Sequence, residues 1–117
     1  MIDWDRVHDM RAEVGDEEFG PLAEQFLTEI ETRLMRLGRS PAQLFLDLHV
    51  LRGSALNMGF RELAALCLVG EANLRDGRYD LVGGGDLLAC FIASRQAYRR
   101  HLAPVSGDQP DQNSGAA

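Results

Sequence analysis

His49, Arg52 and Gly53 lie close together in the stretch LHVLRGSALNMGF, residues 48–60, and their spacing suits the binding of an anion. Side chains of a helix lean towards its N-terminus, so the residue at i+4 covers residue i. Glycine at position 53 leaves the imidazole of His49 open, at a cost of about 1 kcal/mol relative to alanine. Arg52, at i+3, brings to the same patch a guanidinium whose fork geometry suits phosphate. The pattern predicts an exposed histidine that carries an anion.

Apolar residues surround His49 on this predicted helix. Phe45, Gly53 and Leu56 flank it on one face. The apolar stripe of the same helix lies on another face and comprises Leu44, Leu48, Leu51 and Ala55. An exposed apolar rim around a polar centre is typical of a docking surface.

The elements that must position these residues are predicted to be helices. Strand patterns are nearly absent, and apolar residues recur at three- and four-residue steps, which indicates an all-α protein. The predicted helices span about residues 4–14, 19–37, 41–57, 60–77 and 86–102. Ser40 and Pro41 supply an N-cap and a first-turn proline for the third helix. Because each glycine costs roughly 1 kcal/mol in a helix interior, the triplet Gly83–Gly85 predicts that the fifth helix begins only near Asp86.

The connections between the long helices are short, which makes neighbouring helices antiparallel. We therefore expect an up-down antiparallel four-helix bundle with a short additional N-terminal helix across one end. The 117 residues suffice for one core, assigned to residues 1–103. Residues 104–117 have no periodicity and little to bury, which predicts a disordered C-terminal tail. The absence of coiled-coil heptads and the completeness of one core predict a monomer.

Composition and charge exclude several functions. The net charge is −6, and residues 1–31 hold ten acids against two arginines. Nucleic acid is not an expected partner, because binding it depends on a basic surface that neutralises phosphates. No apolar run approaches the roughly 18 residues of a membrane span, and the acidic start is unlike a secretory signal, so a cytoplasmic protein is expected. The acidic N-terminal third is either a solvated helix face or a docking surface.

Metal and disulfide chemistry are not indicated by the cysteines and histidines. Cys67 and Cys90 lie in apolar helical patterns without ligand spacing, so both are expected to be buried core thiols. His8 and His101 lack a glycine at i+4 and are interpreted as ordinary helical histidines. A metal site built on His49 would lack a third ligand.

Residues 49–59, HVLRGSALNMG, resemble the pattern H-x-L-K-G-S-A-x-N-x-G of the histidine phosphotransfer (HPt) domain family. The positions that match are His49, Leu51, Gly53, Ser54, Ala55, Asn57 and Gly59. The similarity in helix layout extends over roughly residues 3–103. The resemblance implies a four-helix bundle in which His49 is exposed and accepts phosphate on Nε2, with Arg52 stabilising the phosphate charge.

The sequence departs from the family pattern at two places. Arg52 stands where the family usually has lysine, which preserves the positive charge. The next helix has Gly70 and Glu71 where the family often has Leu-Glu, or glutamine at the acidic position. The glycine removes a core side chain, and the sequence leaves open whether this loosens the bundle. Glu71 is expected to accept a hydrogen bond from Nδ1–H of His49. Arg75, one turn further, matches a basic position in some members and is a second candidate contact for phosphate or partner.

By this resemblance the chain relays a phosphoryl group between His49 and aspartates of response-regulator receiver domains in a two-component phosphorelay. It acts as an intermediate rather than an enzyme, and it needs no cofactor of its own because the receiver brings Mg²⁺. A hybrid histidine kinase is a further candidate partner.

Two other classes of protein share features with the predicted relay. Val50 and Ser54 stand where sensor histidine kinases have an acid and a proline after the histidine, and no nucleotide-binding loop is present, which excludes a complete kinase. A helical adaptor that docks a partner but carries no phosphate remains the alternative.

Overall fold

The computed structural model describes residues 2–106, with side chains described as far as His101, and confirms the prediction of an all-α protein. The helices are α1 (Trp4–Val14), α2 (Asp16–Met35), α3 (Pro41–Met58), α4 (Arg61–Arg75) and α5 (Gly84–Ser106), with a 3₁₀ turn at Tyr79–Leu81. The predicted tail comprised residues 104–117. Its first three residues, 104–106, continue α5, and the residues from 107 onwards lie outside the described part of the chain. None of the described helices combines the length and the apolar character needed to cross a bilayer.

The helices pack in the neighbour pairs that a four-helix bundle requires. The largest contact joins α3 to α4, while α5 packs against both α4 and α2, and α2 packs against α3. The short α1 contacts α2 and α3. The up-down order of the four long helices remains the prediction made from their short connections.

The core contains apolar side chains from every helix. Its buried members are Ile2, Val7, Met10, Phe19, Ala23, Leu27, Ile30, Leu34, Leu44, Leu48, Leu51, Ala55, Met58, Phe60, Leu63, Ala64, Cys67, Leu87, Phe91 and Tyr98. The stripe predicted for α3 is confirmed, because all four of its residues are buried. This burial fixes the rotation of α3 about its own axis and turns the opposite face, which carries His49, to solvent.

Both ends of α3 are closed by the residues that the sequence provides. The Ser40 hydroxyl accepts a hydrogen bond from the Gln43 amide at 3.1 Å. At the other end, Gly59 adopts the left-handed conformation with φ +76°, where glycine is favoured. A Cβ at Gly59 would also lie 2.6 Å from the carbonyl oxygen of Asp3. The N-terminal segment therefore packs directly on the end of the helix that carries His49.

A buried carboxylate, which the sequence analysis did not single out, ties the start of α3 to α2. Asp47 accepts hydrogen bonds from the Gly38 amide at 2.7 Å, from Arg33 at 3.0 Å and from Gln43 at 3.2 Å. A buried carboxylate needs such partners because burial disfavours its charge. These contacts fix the α2–α3 connection two residues before His49.

The predicted start of α5 is wrong, because the helix begins at Gly84 rather than near Asp86. The amide of Leu87 donates to the carbonyl oxygen of Gly83 at 3.2 Å, which closes the first helical turn. The cost of glycine applies to a helix interior, whereas first-turn residues have amides without helical partners in any case. Helix α2 likewise begins earlier than its apolar stripe, at Asp16, where acidic residues favour the helix N-terminus.

The prediction for the cysteines is confirmed for one of the two. Cys67 is buried in the core, and burial raises the pKa of its thiol to about 12. Cys90 is only half-buried, because it lies at the edge of the face that α5 packs against the core. Both cysteines are unpaired.

The effect of Gly70, which the sequence left open, is visible in the packing of α3 against α4. A Cβ at this position would lie 2.7 Å from Cδ1 of Leu48, which is fully buried. The missing side chain is thus replaced by a leucine from the facing helix, and the glycine permits a close approach of the two helices.

The Gly70→Ala variant should therefore be less stable, even though alanine has the higher helix propensity. Pushing Leu48 within a packed core should lower the free energy of unfolding by roughly 1–3 kcal/mol, measured by urea denaturation. The control is Gly53→Ala on the facing helix, where a Cβ meets nothing within 4 Å. That variant should gain about 1 kcal/mol. A Gly70→Ala variant as stable as this control would contradict the close-approach role.

Candidate functional site

The imidazole of His49 projects from α3 into solvent. Its side chain is 60% exposed. Gly53, one turn further along α3, is exposed and has open space where a side chain would project. The geometry thus leaves the approach to the ring unobstructed from the C-terminal side of the helix.

A fully buried carboxylate on α4 contacts this exposed ring. Nδ1 of His49 lies 3.3 Å from Oε1 of Glu71, whose side chain has no exposed surface. The sequence analysis predicted this pair, and the close packing of α3 on α4 brings it together. Because Glu71 is held on its own helix, it can fix the orientation of the ring.

Arg52 lies on the Glu71 side of His49. Its Nε donates to Oε2 of Glu71 at 2.6 Å, and its Nη2 donates to Oε1 at 3.2 Å. Nη2 also lies 3.2 Å from Nδ1 of His49. The sequence analysis predicted that Arg52 would assist a phosphate on Nε2, but its contacts in the structure are with the carboxylate and with the other ring nitrogen.

The contacts at Nδ1 favour one tautomer of His49. A neutral imidazole has one N–H donor and one acceptor nitrogen. The ionised carboxylate of Glu71 only accepts, so its contact with Nδ1 at 3.3 Å is a charge-assisted hydrogen bond when Nδ1 carries the hydrogen. This tautomer leaves the lone pair of Nε2 free and pointing towards solvent.

Opposing effects determine the ionisation of Glu71. Burial raises the pKa of this carboxyl, whereas the hydrogen bonds from Arg52 and His49 lower it, and the result lies below the ordinary value. The hydrogen bond to Glu71 in turn raises the pKa of Arg52. The site therefore holds a carboxylate and a guanidinium as a charged pair beside the imidazole.

A second arginine lies at the edge of the same cluster. Nη2 of Arg75 is 3.9 Å from Oε1 of Glu71, and its guanidinium lies over the ring of Phe45 at 5.5 Å from the centroid. The Phe45 and His49 rings are stacked, with centroids 6.4 Å apart. Arg75 is 57% exposed and is held only by these weaker contacts. Its guanidinium can move without leaving a buried group unpaired.

The apolar rim predicted around His49 is broader than the sequence analysis proposed. Leu56 is exposed, as expected, while Phe45 is half-buried beneath Arg75. Leu46 and Val50, which were not among the predicted site residues, are also exposed on α3 beside His49. Phe45 and Leu56 were identified because they are apolar residues outside the buried stripe of α3. The same criterion applies to Leu46 and Val50.

The other histidines lie apart from any such cluster. His8 is exposed, and His101 stacks on Trp4 with ring centroids 3.9 Å apart. Within residues 2–106, no group of three or more His, Cys, Asp or Glu side chains is arranged to hold a metal ion.

The lowered pKa of Glu71 predicts a pH dependence of stability. The unfolded chain takes up this proton first as the pH falls, so the stabilisation is complete above the ordinary value of 4.5 and is lost as the pH drops through the lower folded value. Urea denaturation between about pH 6 and pH 3 should show a smaller loss of stability for Glu71→Gln than for wild type. Glu29→Gln, on the exposed face of α2, should keep the wild-type decline. Equal declines for all three proteins would contradict the ionised state of Glu71.

Comparison with known proteins places this geometry in a family. The model of the Hpt domain family matches residues 21–100, which cover α3, α4 and the whole charged cluster. No curated protein and no solved structure matched the chain. The chain belongs to the Hpt domain family, whose domains carry out histidine phosphotransfer in two-component signalling.

Proposed function

We propose that the chain relays a phosphoryl group between Nε2 of His49 and aspartates of response-regulator receiver domains. The observation that carries this proposal is the combination of an exposed imidazole with a buried carboxylate on its Nδ1 side. That combination supplies a nucleophilic nitrogen at the surface in a fixed tautomer.

The transfer step needs no base from this chain. The lone pair of Nε2 attacks the phosphorus of an aspartyl phosphate, the N–P bond forms, and the P–O bond breaks with its electron pair leaving on the aspartate. The imidazole becomes positively charged and keeps its hydrogen on Nδ1. The carboxylate of Glu71, 3.3 Å from Nδ1, stabilises that charge as it develops. The reverse step regenerates the neutral ring.

Positive charge around the ring supports the reaction further. Phosphoryl transfer chiefly requires in-line positioning and neutralisation of the phosphoryl oxygens. The positive charges of Arg52 and Arg75 offset the negative charge of Glu71, so a phosphorylated partner can approach without net repulsion. The receiver contributes Mg²⁺ and most of the catalytic groups, so the chain is an intermediate without turnover of its own.

The exposed rim around His49 is the proposed docking surface for the receiver. Leu46, Val50 and Leu56 expose apolar area that a partner can bury, and Gly53 leaves the space in which the partner approaches the ring. In this proposal the chain acts as a cytoplasmic monomer, with a hybrid histidine kinase as a further phosphoryl donor.

Phosphorylation should depend on His49. Incubation with a phosphorylated receiver and Mg²⁺ should give an acid-labile, alkali-stable phosphoprotein, because protonation of the ring nitrogen makes the N–P bond easy to break. His49→Gln should abolish the label. His8→Gln and His101→Gln are the matched controls and should be labelled at the wild-type rate. If His49→Gln still took up acid-labile phosphate, or wild type took up none from any receiver, the adaptor function would become the better explanation.

The open space at Gly53 should be needed for docking. Gly53→Gln should fold at least as stably as wild type but transfer phosphate at least tenfold more slowly, because a long side chain at i+4 lies across His49. Gly53→Ala is the control, since a methyl group adds helix propensity with little obstruction. Phosphotransfer rates and urea denaturation measure the two effects. A wild-type transfer rate in Gly53→Gln would refute the role of this glycine.

A further inference from the structure

We propose that the groove between α4 and α5 is a second docking surface, which binds a basic amphipathic helix of a partner protein other than the receiver. The side chains that line this groove come from α4, from α5 and from the segment that connects them. They are Leu66, Val69, Asn73, Leu81, Val82 and Asp86. The inference goes beyond the proposed function and does not depend on it, because none of these residues takes part in the proposed phosphoryl transfer.

The composition of α4 leaves apolar side chains on its outer side. Residues 63–70, LAALCLVG, are eight consecutive positions without a charged side chain. A helix segment that is apolar all round is typical of a helix buried on all sides. The core covers only part of this segment, and Leu66 and Val69 remain 38% and 56% exposed. The uncovered part of α4 is therefore suited to contact with a further helix.

The groove has room for one apolar side chain. A cavity of about 70 Å³ lies between α4 and α5, and Val69, Leu81 and Val82 border it. Leu81 is itself exposed, so it extends the apolar surface from α4 onto the connection to α5. A helix that binds in a groove typically inserts an anchor residue into such a cavity, while its neighbouring residues cover the edges.

Negative charge flanks the apolar part of the groove at both ends. Glu62, Leu66, Val69 and Asn73 follow one another at steps of four, three and four residues, and so share one face of α4. At the Asn73 end, Asp86 of α5 lines the same cavity. The two carboxylates are thus separated by about three helical turns, roughly 16 Å along α4. A partner helix with basic residues about eleven positions apart matches this spacing.

The same charges disfavour other occupants of the groove. A second copy of this chain that bound through the same groove would bring Glu62 and Asp86 close to like charges, in either relative direction of the helices. An anionic membrane or a nucleic acid would meet these carboxylates and a net charge of −6. A basic helix of another protein combines apolar contact with complementary charge.

The groove lies on a different side of α4 from His49. His49 contacts Glu71 where α4 faces α3, whereas the groove lies where α4 faces α5. Helices α3 and α5 each pack against both α2 and α4, which places them diagonally in the bundle. A helix bound in the groove can therefore stay in place while a receiver exchanges phosphate with His49. Such a partner would hold the chain at a chosen location without blocking the transfer.

A synthetic peptide tests the groove directly. The probe is a helical peptide of about 18 residues, with leucines along one face and two lysines about eleven positions apart, and the control peptide has glutamates in place of the lysines. Fluorescence anisotropy should show saturable binding of the lysine peptide at micromolar concentration. The glutamate peptide should bind about tenfold more weakly or less. In nitrogen-15 NMR, the shifted amides should cluster along α4 and α5. Absence of saturable binding, or equal affinity for the two peptides, would overturn the proposal.

Two exposed valines provide a matched pair of variants. Val69 borders the groove, while Val50 lies on α3 in the proposed docking surface for the receiver. Val69→Lys should weaken binding of the lysine peptide by about tenfold or more, because it sets a positive charge against the basic helix, and should leave the phosphotransfer rate unchanged. Val50→Lys should keep the wild-type affinity for the peptide. Urea denaturation verifies that both variants fold. Equal weakening by the two substitutions would show that the peptide does not bind in the groove.

Sedimentation of the protein alone distinguishes a second copy as the occupant. Wild type and Val69→Lys should both sediment as monomers at micromolar concentration. A wild-type dimer that Val69→Lys dissociates would show that the chain covers the groove with its own copy, and the proposed partner would be wrong. None of the peptide measurements needs a receiver. A failure of phosphotransfer would therefore count against the proposed function alone.

Discussion

The site depends on a single buried charge, the carboxylate of Glu71, which α4 presents to α3 from inside the bundle. A fully buried carboxylate is tolerated only with close partners, and it finds them in Arg52 and His49 on the facing helix. The contacts of Glu71 with Arg52 and His49 link the packing of the two helices to the state of the imidazole. The packing of α3 on α4 must be close for the contacts to form, and the contact of Glu71 with Nδ1 favours a hydrogen on that nitrogen. Stability and chemistry therefore share the same few atoms.

Gly70 shows how the backbone allows this close packing. It precedes Glu71 on α4 and allows Leu48 of α3 to pack where a side chain would otherwise stand. Leu48 in turn precedes His49. The adjacent residues 48 and 49 on one helix thus face residues 70 and 71 on the other, with an apolar contact inside and a polar contact at the edge. A looser helix pair would weaken both at once.

The sequence predicted the elements and the exposed histidine because these depend on local rules. Helix periodicity, the Ser40 cap and the i+4 relation of His49 to Gly53 are all properties of one segment. The sequence did not predict the hydrogen-bond partners of Asp47 or the pairing of Arg52 with Glu71, because these contacts depend on distances between helices. The predicted start of α5 was wrong for a different reason. Glycine destabilises a helix interior, but Gly84 and Gly85 lie in the first turn, where that cost does not apply. The role of Gly70 could not be predicted, because the effect of a missing side chain depends on which side chain the facing helix places there.

Helix α3 is held at both ends, by Ser40 and Asp47 at its start and by the contact of Gly59 with Asp3 at its finish. Arg6 adds hydrogen bonds to Asn57 near the same end. A helix anchored in this way presents its outer face as a rigid template, so a partner that binds it has little ordering entropy to overcome. The groups that set the state of the ring lie inward, while Leu46, Val50 and Leu56 lie outward. The residues of the proposed docking surface can therefore be exchanged without touching the contacts of Glu71, so the proposed partner specificity and the state of the ring are structurally separable.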